Sequence, residues 1–348
     1  MDPSNTKRIA HLGMYLAGFL GVIMATVLVI KEGAADVFDI LQLAGWTLFL
    51  LVPLHFLPIG LDVLSWRRLL RGERLASFPF LLWVAGVRES VNGLLPVARV
   101  GGELAGVRLL SRRGIAGDIA GASILVEVTL TLVSQFLFTL AGIAILAYFT
   151  RDHAVITGVL VGLLITLPAI AVFVMLQRHW GVFQLLERLI KAVWGHSALT
   201  GSGAMARLDE KVREMYRRRS TLGIALFWQL AGLVAGALEV WVTFRLLDHP
   251  ITFSTAVMLE SLGQALRSAT FIVPAGLGVQ EGGFVLFGAG AGIAPDAALA
   301  FSLARRFREL AFGIPFLLSW QGAEGHNLHR RWRTKRMELA SSEERGKS

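Results

Sequence analysis

The sequence predicts an all-α integral membrane protein, with about six transmembrane helices plus two re-entrant broken-helix hairpins in an inverted repeat. Three observations lead there. The 348 residues are 54% hydrophobic and 17% charged, with mean hydropathy +0.60, which is too apolar for a soluble domain of this size. One phrase occurs twice, as Pro96-Val97-Ala98-Arg99-Val100-Gly101-Gly102-Glu103 and as Pro274-Ala275-Gly276-Leu277-Gly278-Val279-Gln280-Glu281. Finally, the basic residues gather in the segments that one topology places on a single side.

The repeat keeps a 178-residue offset without a gap: Ser90 matches Ser268, Gly114-Ile115-Ala116 matches Gly292-Ile293-Ala294, and Asp118 matches Asp296. Proline removes a backbone donor and glycine adds chain entropy, so each copy predicts a break between two half-helices. Paired breaks at corresponding positions of two halves point to a substrate site at mid-membrane.

In chain order, Ile9 to Ile30 is an apolar run with no cleavage signature after it, which predicts an uncleaved first span. A second span runs from about Ile40 to Trp66 and leads into the basic connector Arg67 to Arg74. Phe78 to Ala98, the first break, and Glu103 to Leu110 are too short for two crossings at ~1.5 Å per residue, which predicts a re-entrant hairpin over 78–113. Ile115 to Phe149 is a long span, and Val155 to Leu176 crosses back. The loop 177–220 holds an amphipathic stretch from Trp180 to Val193 and a Gly- and Ser-rich linker from His196 to Ala206. Thr221 to Leu247 spans again, 252–293 repeats the hairpin, and Asp296 to Trp320 is the last span. The chain thus divides into a first membrane repeat (1–150), a second (151–320) and a basic cytoplasmic tail (321–348) expected to be disordered or surface-bound.

The charge distribution tests this path independently. Of 34 Lys and Arg, 26 fall in segments placed inside and three outside (Lys31, Arg151, Arg245), which puts both termini in the cytoplasm. The same bias explains the net charge of +9, so nucleic acid is not an expected partner. With these crossings the first hairpin opens to the cytoplasm and the second to the opposite side. That is the arrangement for alternating access.

Charges inside the membrane carry the functional expectation, because each costs at least ~2.5–3.5 kcal/mol at a helix centre unless it is paired or wetted. Arg88, Glu89, Glu103, Glu127, Glu239, Glu260, Arg267, Glu281, Arg305, Arg306, Arg308 and Glu309 are too many for a lipid-facing surface and must share a polar interior. The candidate substrate-binding set is Arg88, Glu89, Asn92, Pro96, Arg99, Glu103, Glu127, Arg267, Pro274, Glu281, Arg305, Arg308 and Glu309. Arginines beside half-helix N-termini suit an anionic headgroup. Internal Glu–Arg pairing between hairpins is the structural alternative.

Enzyme readings find no motif. Cys is absent, which excludes thiolate chemistry, and the histidines fall mostly at segment ends and in loops, without metal-ligand spacing. Neither GxSxG nor Walker A occurs. No catalytic residue, metal or cofactor is expected.

From Ile9 to Trp320 the chain resembles the lysylphosphatidylglycerol synthase transmembrane region, or flippase-like, family. The stretches Arg88 to Glu103 and Pro274 to Gly283 carry the resemblance and are most similar to its hopanoid-biosynthesis-associated branch, the HpnL type. The resemblance implies a lipid translocator of a bacterial inner membrane, handling a hopanoid or an anionic phospholipid. It also implies, as a second reading, a non-transporting scaffold for hopanoid-biosynthesis proteins; either form can self-associate. Only 28 residues follow Trp320, too few for the soluble aminoacyltransferase domain of full-length synthases, so synthase activity does not carry over.

Overall fold

Backbone turns recur at the 178-residue offset of the sequence. The computed structural model describes residues 45–95, 101–149, 204–269 and 279–345, with single positions between 157 and 175, and every regular element in them is helical. A 3-10 turn at Gly45–Leu50 leads into α1 (Leu51–Leu69), followed by α2 (Phe78–Leu94), α3 (Gly101–Arg112) and α4 (Gly117–Phe149). Then come α5 (Ala204–Arg217), α6 (Arg219–Leu246), α7 (Phe253–Ala269), α8 (Val279–Gly290) and α9 (Pro295–Arg345). Helix α2 stops at Leu95, whose φ of −105° and ψ of 143° are the extended conformation that the following proline imposes. The breaks themselves, 96–100 and 270–278, lie outside the described residues.

Each hairpin ends in the same capping motif. After α3, Ile115 N–H donates to the Leu110 carbonyl (3.2 Å) and Gly114 N–H to that of Ser111 (3.1 Å), with Gly114 at φ 99°. After α8, Ile293 donates to Gly288 (2.9 Å) and Gly292 to Ala289 (3.1 Å), with Gly292 at φ 74°. The next helix of each half then opens on an aspartate whose Oδ1 accepts a neighbouring N–H, Ile119 to Asp118 (3.0 Å) and Ala297 to Asp296 (2.9 Å).

Tertiary packing obeys the same exchange of halves. Helix α2 packs on α3 as α7 does on α8, α3 on α4 as α8 on α9, and the long helix of each half packs on the first hairpin helix of the other, α4 on α7 and α9 on α2. Two cores result. One joins the first hairpin (Leu81, Val84, Leu110) to the end of α1 (Trp66, Leu69) and the start of α6 (Ala225). The other joins the second hairpin (Leu259, Phe284) to the start of α1 (Leu51), the end of α4 (Leu146) and the end of α6 (Phe244). The two hairpins therefore pack toward opposite ends of α1 and α6.

The surface is inside-out relative to a soluble protein. Phe56, Leu57, Leu137, Leu140, Phe227 and Leu318 are exposed, whereas His55, Arg88, Glu239, Glu260, Arg305 and Arg308 are buried. Among the described residues, Gly45–Leu69, Gly117–Tyr148 and Arg219–Leu246 are long and apolar enough to cross a membrane. The expected first span and nearly all of Val155 to Leu176 lie outside the described residues, and Asp296 to Trp320 is helical within α9.

Two expectations change. The tail, expected to be disordered or surface-bound, is not disordered: it continues α9 as a helix as far as Arg345. No proline follows Pro315, and residues 329–345 are mostly Arg, Lys, Glu, Met, Leu and Ala, all strong helix formers. Within the loop 177–220, α5 replaces the end of the linker. Val212 and Met215 are buried in the first core at helical spacing, and Arg207, Arg213 and Arg217 face out. Hydrogen bonds from Lys211 (2.9 Å) and Arg218 hold the Glu214 carboxyl below its usual range.

Candidate functional site

The first half of the site is assembled by close backbone approach. At Gly102 an added Cβ would lie 2.4 Å from the Arg88 carbonyl oxygen, and at Gly106 it would lie 2.8 Å from Arg88 Cδ, so glycine lets α3 lie directly on α2. Asn92 clamps the junction: its Oδ1 accepts the Gly102 N–H (2.8 Å) and its Nδ2 donates to Glu103 (3.2 Å). That contact satisfies one orphan donor at the start of α3. Arg88, 8% exposed, donates from Nη2 to Glu103 and to Glu127 (2.6 Å), and its guanidinium lies 4.7 Å from the Trp66 ring centroid.

The second half reverses the sign. Arg305 occupies on α9 the place that Glu127 has on α4, and its partner Glu260 (2.7 Å) comes from α7, the counterpart of α2. Glu260 also accepts from Gln264 (2.8 Å). Arg308 pairs with Glu239 of α6, and Glu309 lies 3.5 Å from both Arg308 and Arg267.

His55 of α1 ties the halves together. Its Nε2 is 2.8 Å from Glu89 on α2, and its Nδ1 is 2.7 Å from Glu239 and 2.9 Å from Arg308 Nη1. The ring packs edge-on against Phe312, with centroids 5.0 Å apart.

Arg88, Glu89, Asn92, Glu103, Glu127, Arg267, Arg305, Arg308 and Glu309 thus form connected clusters. Pro96, Arg99 and Pro274 lie outside the described residues, and Glu281 is described only as a position in α8. Sequence reasoning passed over His55, placing it with histidines at segment ends, and overlooked Asp62, which is half-buried on α1. Each is an ionisable residue inside an apolar span, and that signal was sufficient to find both. Glu239 and Glu260 were recognised as membrane charges but not as site members.

The described members of the candidate set are paired. Arg88, Arg267, Arg305 and Arg308 face Asp62, Glu89, Glu103, Glu127, Glu239, Glu260 and Glu309, so among these side chains carboxyl groups outnumber guanidiniums. The arginines are held in a neutralised network. Even so, the Nε–H groups of Arg88, Arg305 and Arg308 are buried without an acceptor among the described residues. No group of three or more His, Asp or Glu among those residues is arranged to hold a metal.

Residues 14–316, a stretch that includes both hairpins and every charged side chain above, match the family model described as the lysylphosphatidylglycerol synthase TM region. The chain belongs to that family. A UPF0104 membrane protein of Methanothermobacter thermautotrophicus is 24% identical over 318 residues, covering 85% of this chain and 90% of that one. No solved structure matches. For this member of the synthase transmembrane-region family, the charged network lies wholly within the matched region.

Proposed function

We propose that this protein carries an amphipathic lipid with an anionic headgroup, a hopanoid derivative or an anionic phospholipid, across a bacterial inner membrane, and that it is a carrier and not an enzyme. One observation supports this above the rest. Two helix pairs built to the same plan pack toward opposite ends of the same long helices and are linked by charge pairs that run through His55 of α1, Glu239 of α6, and Arg308 and Glu309 of α9. This is the disposition expected of an inverted repeat of six spans and two re-entrant hairpins, with both termini cytoplasmic. A phosphate entering the network would take guanidinium donors from carboxylates, because bidentate Arg–phosphate pairing matches Arg–carboxylate pairing in strength and geometry.

The topology is checked by single cysteines in this cysteine-free chain. Arg71 lies in the connector after α1, and His249 lies beyond the end of α6. His249→Cys is expected to react with an impermeant maleimide from outside the cell, and Arg71→Cys only after permeabilisation. Labelling of both from one side overturns the inverted arrangement.

The mechanism is checked at Glu103. Arg88 keeps Glu127 as a partner when Glu103 is neutralised, so Glu103→Gln is expected to remain folded. Lipid translocation in proteoliposomes should fall at least tenfold, a barrier change of about 1.4 kcal/mol. A folded Glu103→Gln protein with normal translocation overturns the proposal.

A scaffold reading has one observation of its own, the continuation of α9 to Arg345 well beyond its apolar part. It requires the tail and α5 to matter for activity, and the buried charges not to.

A further inference from the structure

His55 is surrounded in a way that its neutral form does not satisfy. A neutral imidazole carries one N–H and one lone pair, and an ionised carboxylate only accepts. Yet both ring nitrogens stand at hydrogen-bond distance from carboxylates, Nε2 from Glu89 (2.8 Å) and Nδ1 from Glu239 (2.7 Å). Two acceptors call for two N–H donors, hence an imidazolium or a proton held on one of the carboxyls.

Nδ1 has a second neighbour of the opposite kind. Arg308 Nη1, a donor, lies 2.9 Å away. The same geometry therefore accommodates the ring after it loses a proton. The remaining N–H settles on Nε2 and points at Glu89, and the Nδ1 lone pair accepts from Arg308. Protonation makes a bond from α1 to α6, and deprotonation exchanges it for a bond from α1 to α9.

We propose that Glu89, His55 and Glu239 form a proton-binding site, and that the proton they hold is the coupling ion for lipid movement; the coupling, though not the site, rests on the translocator reading above. An exit for the proton is at hand. The Glu89 side chain is 42% exposed, whereas those of His55, Glu239 and Arg308 are 9%, 8% and 5% exposed. The Nε2 proton passes to the Glu89 carboxylate, an O–H bond forming as the N–H bond breaks, and from there to water; the proton left on Nδ1 then moves to Nε2 by tautomeric exchange, which frees the Nδ1 lone pair for Arg308.

Charges face this site from every helix around it. Asp62 comes from α1, Arg88 and Glu89 from α2, Glu239 from α6, and Arg308 and Glu309 from α9. His55 is thus placed where the halves meet, and its charge adjusts the balance between α1, α6 and α9.

The test uses the full chain, in nanodiscs and in vesicles of phosphatidylethanolamine and phosphatidylglycerol, with fluorescent phosphatidylglycerol as the transported probe. Nitrogen NMR of histidine-labelled protein, assigned by the signal missing in His55→Gln or His55→Asn, reports the ring's protonation. We expect the His55 signal to pass from two N–H groups to one between about pH 5 and 8. Glu89→Gln removes the negative charge that favours the imidazolium, so its midpoint should move to lower pH.

In vesicles, a pH gradient should accelerate translocation by the wild type, and His55→Gln should lose that acceleration. A ring that keeps one form across the range overturns the proton site. A titrating ring with gradient-independent translocation overturns the coupling and leaves the translocator intact. A titrating ring in vesicles that move no lipid upholds the site and overturns the translocator reading, and the coupling with it.

Discussion

Arg88→Gln is expected to destabilise the protein by roughly 3–5 kcal/mol, because it removes the cation from between two carboxylates that stay largely shielded from solvent. Glu103 and Glu127 both accept from Arg88 Nη2, and their side chains are 24% and 12% exposed. Without the guanidinium, two negative charges would face each other with little solvent, and of its former partners only Glu103 keeps a donor, Asn92 Nδ2. One carboxyl would be forced to bind a proton, which limits the loss but does not cancel it. The missing guanidinium also vacates its place over Trp66, which is 1% exposed, and opens a gap there. Thermal or detergent-induced unfolding followed by tryptophan fluorescence measures the change. The double variant Arg88→Gln with Glu127→Gln should recover most of the lost stability, since it removes the uncompensated charge. A single variant within about 1 kcal/mol of wild type would mean that water reaches the cluster freely and that pairing contributes little.

Gly102→Ala should cost about 1–3 kcal/mol through overpacking, an effect out of proportion to one methyl group. Its Cβ would stand 2.4 Å from the Arg88 carbonyl oxygen and 2.7 Å from Asn92 Nδ2. A side chain can rotate away, but the carbonyl belongs to α2 and moves only if α2 and α3 separate. Separation would also stretch the hydrogen bond from Gly102 N–H to Asn92 and displace Glu103 from Arg88. Gly93→Ala is the control, since nothing lies within 4 Å of its Cβ and alanine favours the helix. Measured side by side, Gly102→Ala should unfold earlier than wild type and Gly93→Ala no earlier. Equal stability of the two variants would show that the hairpin adjusts without cost.

Much of the helical framework was legible because its signals are local. Pro96 forces Leu95 into an extended conformation whatever surrounds it, and glycines 114 and 292 supply the positive φ that both capping turns require. The 178-residue offset survives in backbone hydrogen bonds because those bonds join residues three to five apart. Where the local signal was weak, the reading failed. The end of α9 is rich in charged residues and is expected from the sequence to be disordered or surface-bound, although its residues favour a helix individually. The buried face of α5 includes Val212 and Met215 among many charged residues, and its helical period was missed beside the glycine-rich linker.

The sequence by itself determined that this chain belongs in a membrane, where its helices break, and that its interior must hold charge. Each follows from composition or from a few neighbouring residues. Which charges meet was decided only by tertiary structure. Arg88 finds Glu127 at 39 residues' separation, Arg308 finds Glu239 at 69, and His55 finds Glu239 at 184. Periodicity places such residues on the inner face of a helix but carries no information about which helix lies opposite. Partner choice depends on the crossing of α1 with α6, of α4 with α7 and of α9 with α2, and the packing of small residues and apolar cores sets those crossings. For that reason the sequence lists the charges but only the fold pairs Arg88 with Glu127, Arg305 with Glu260 and Arg308 with Glu239.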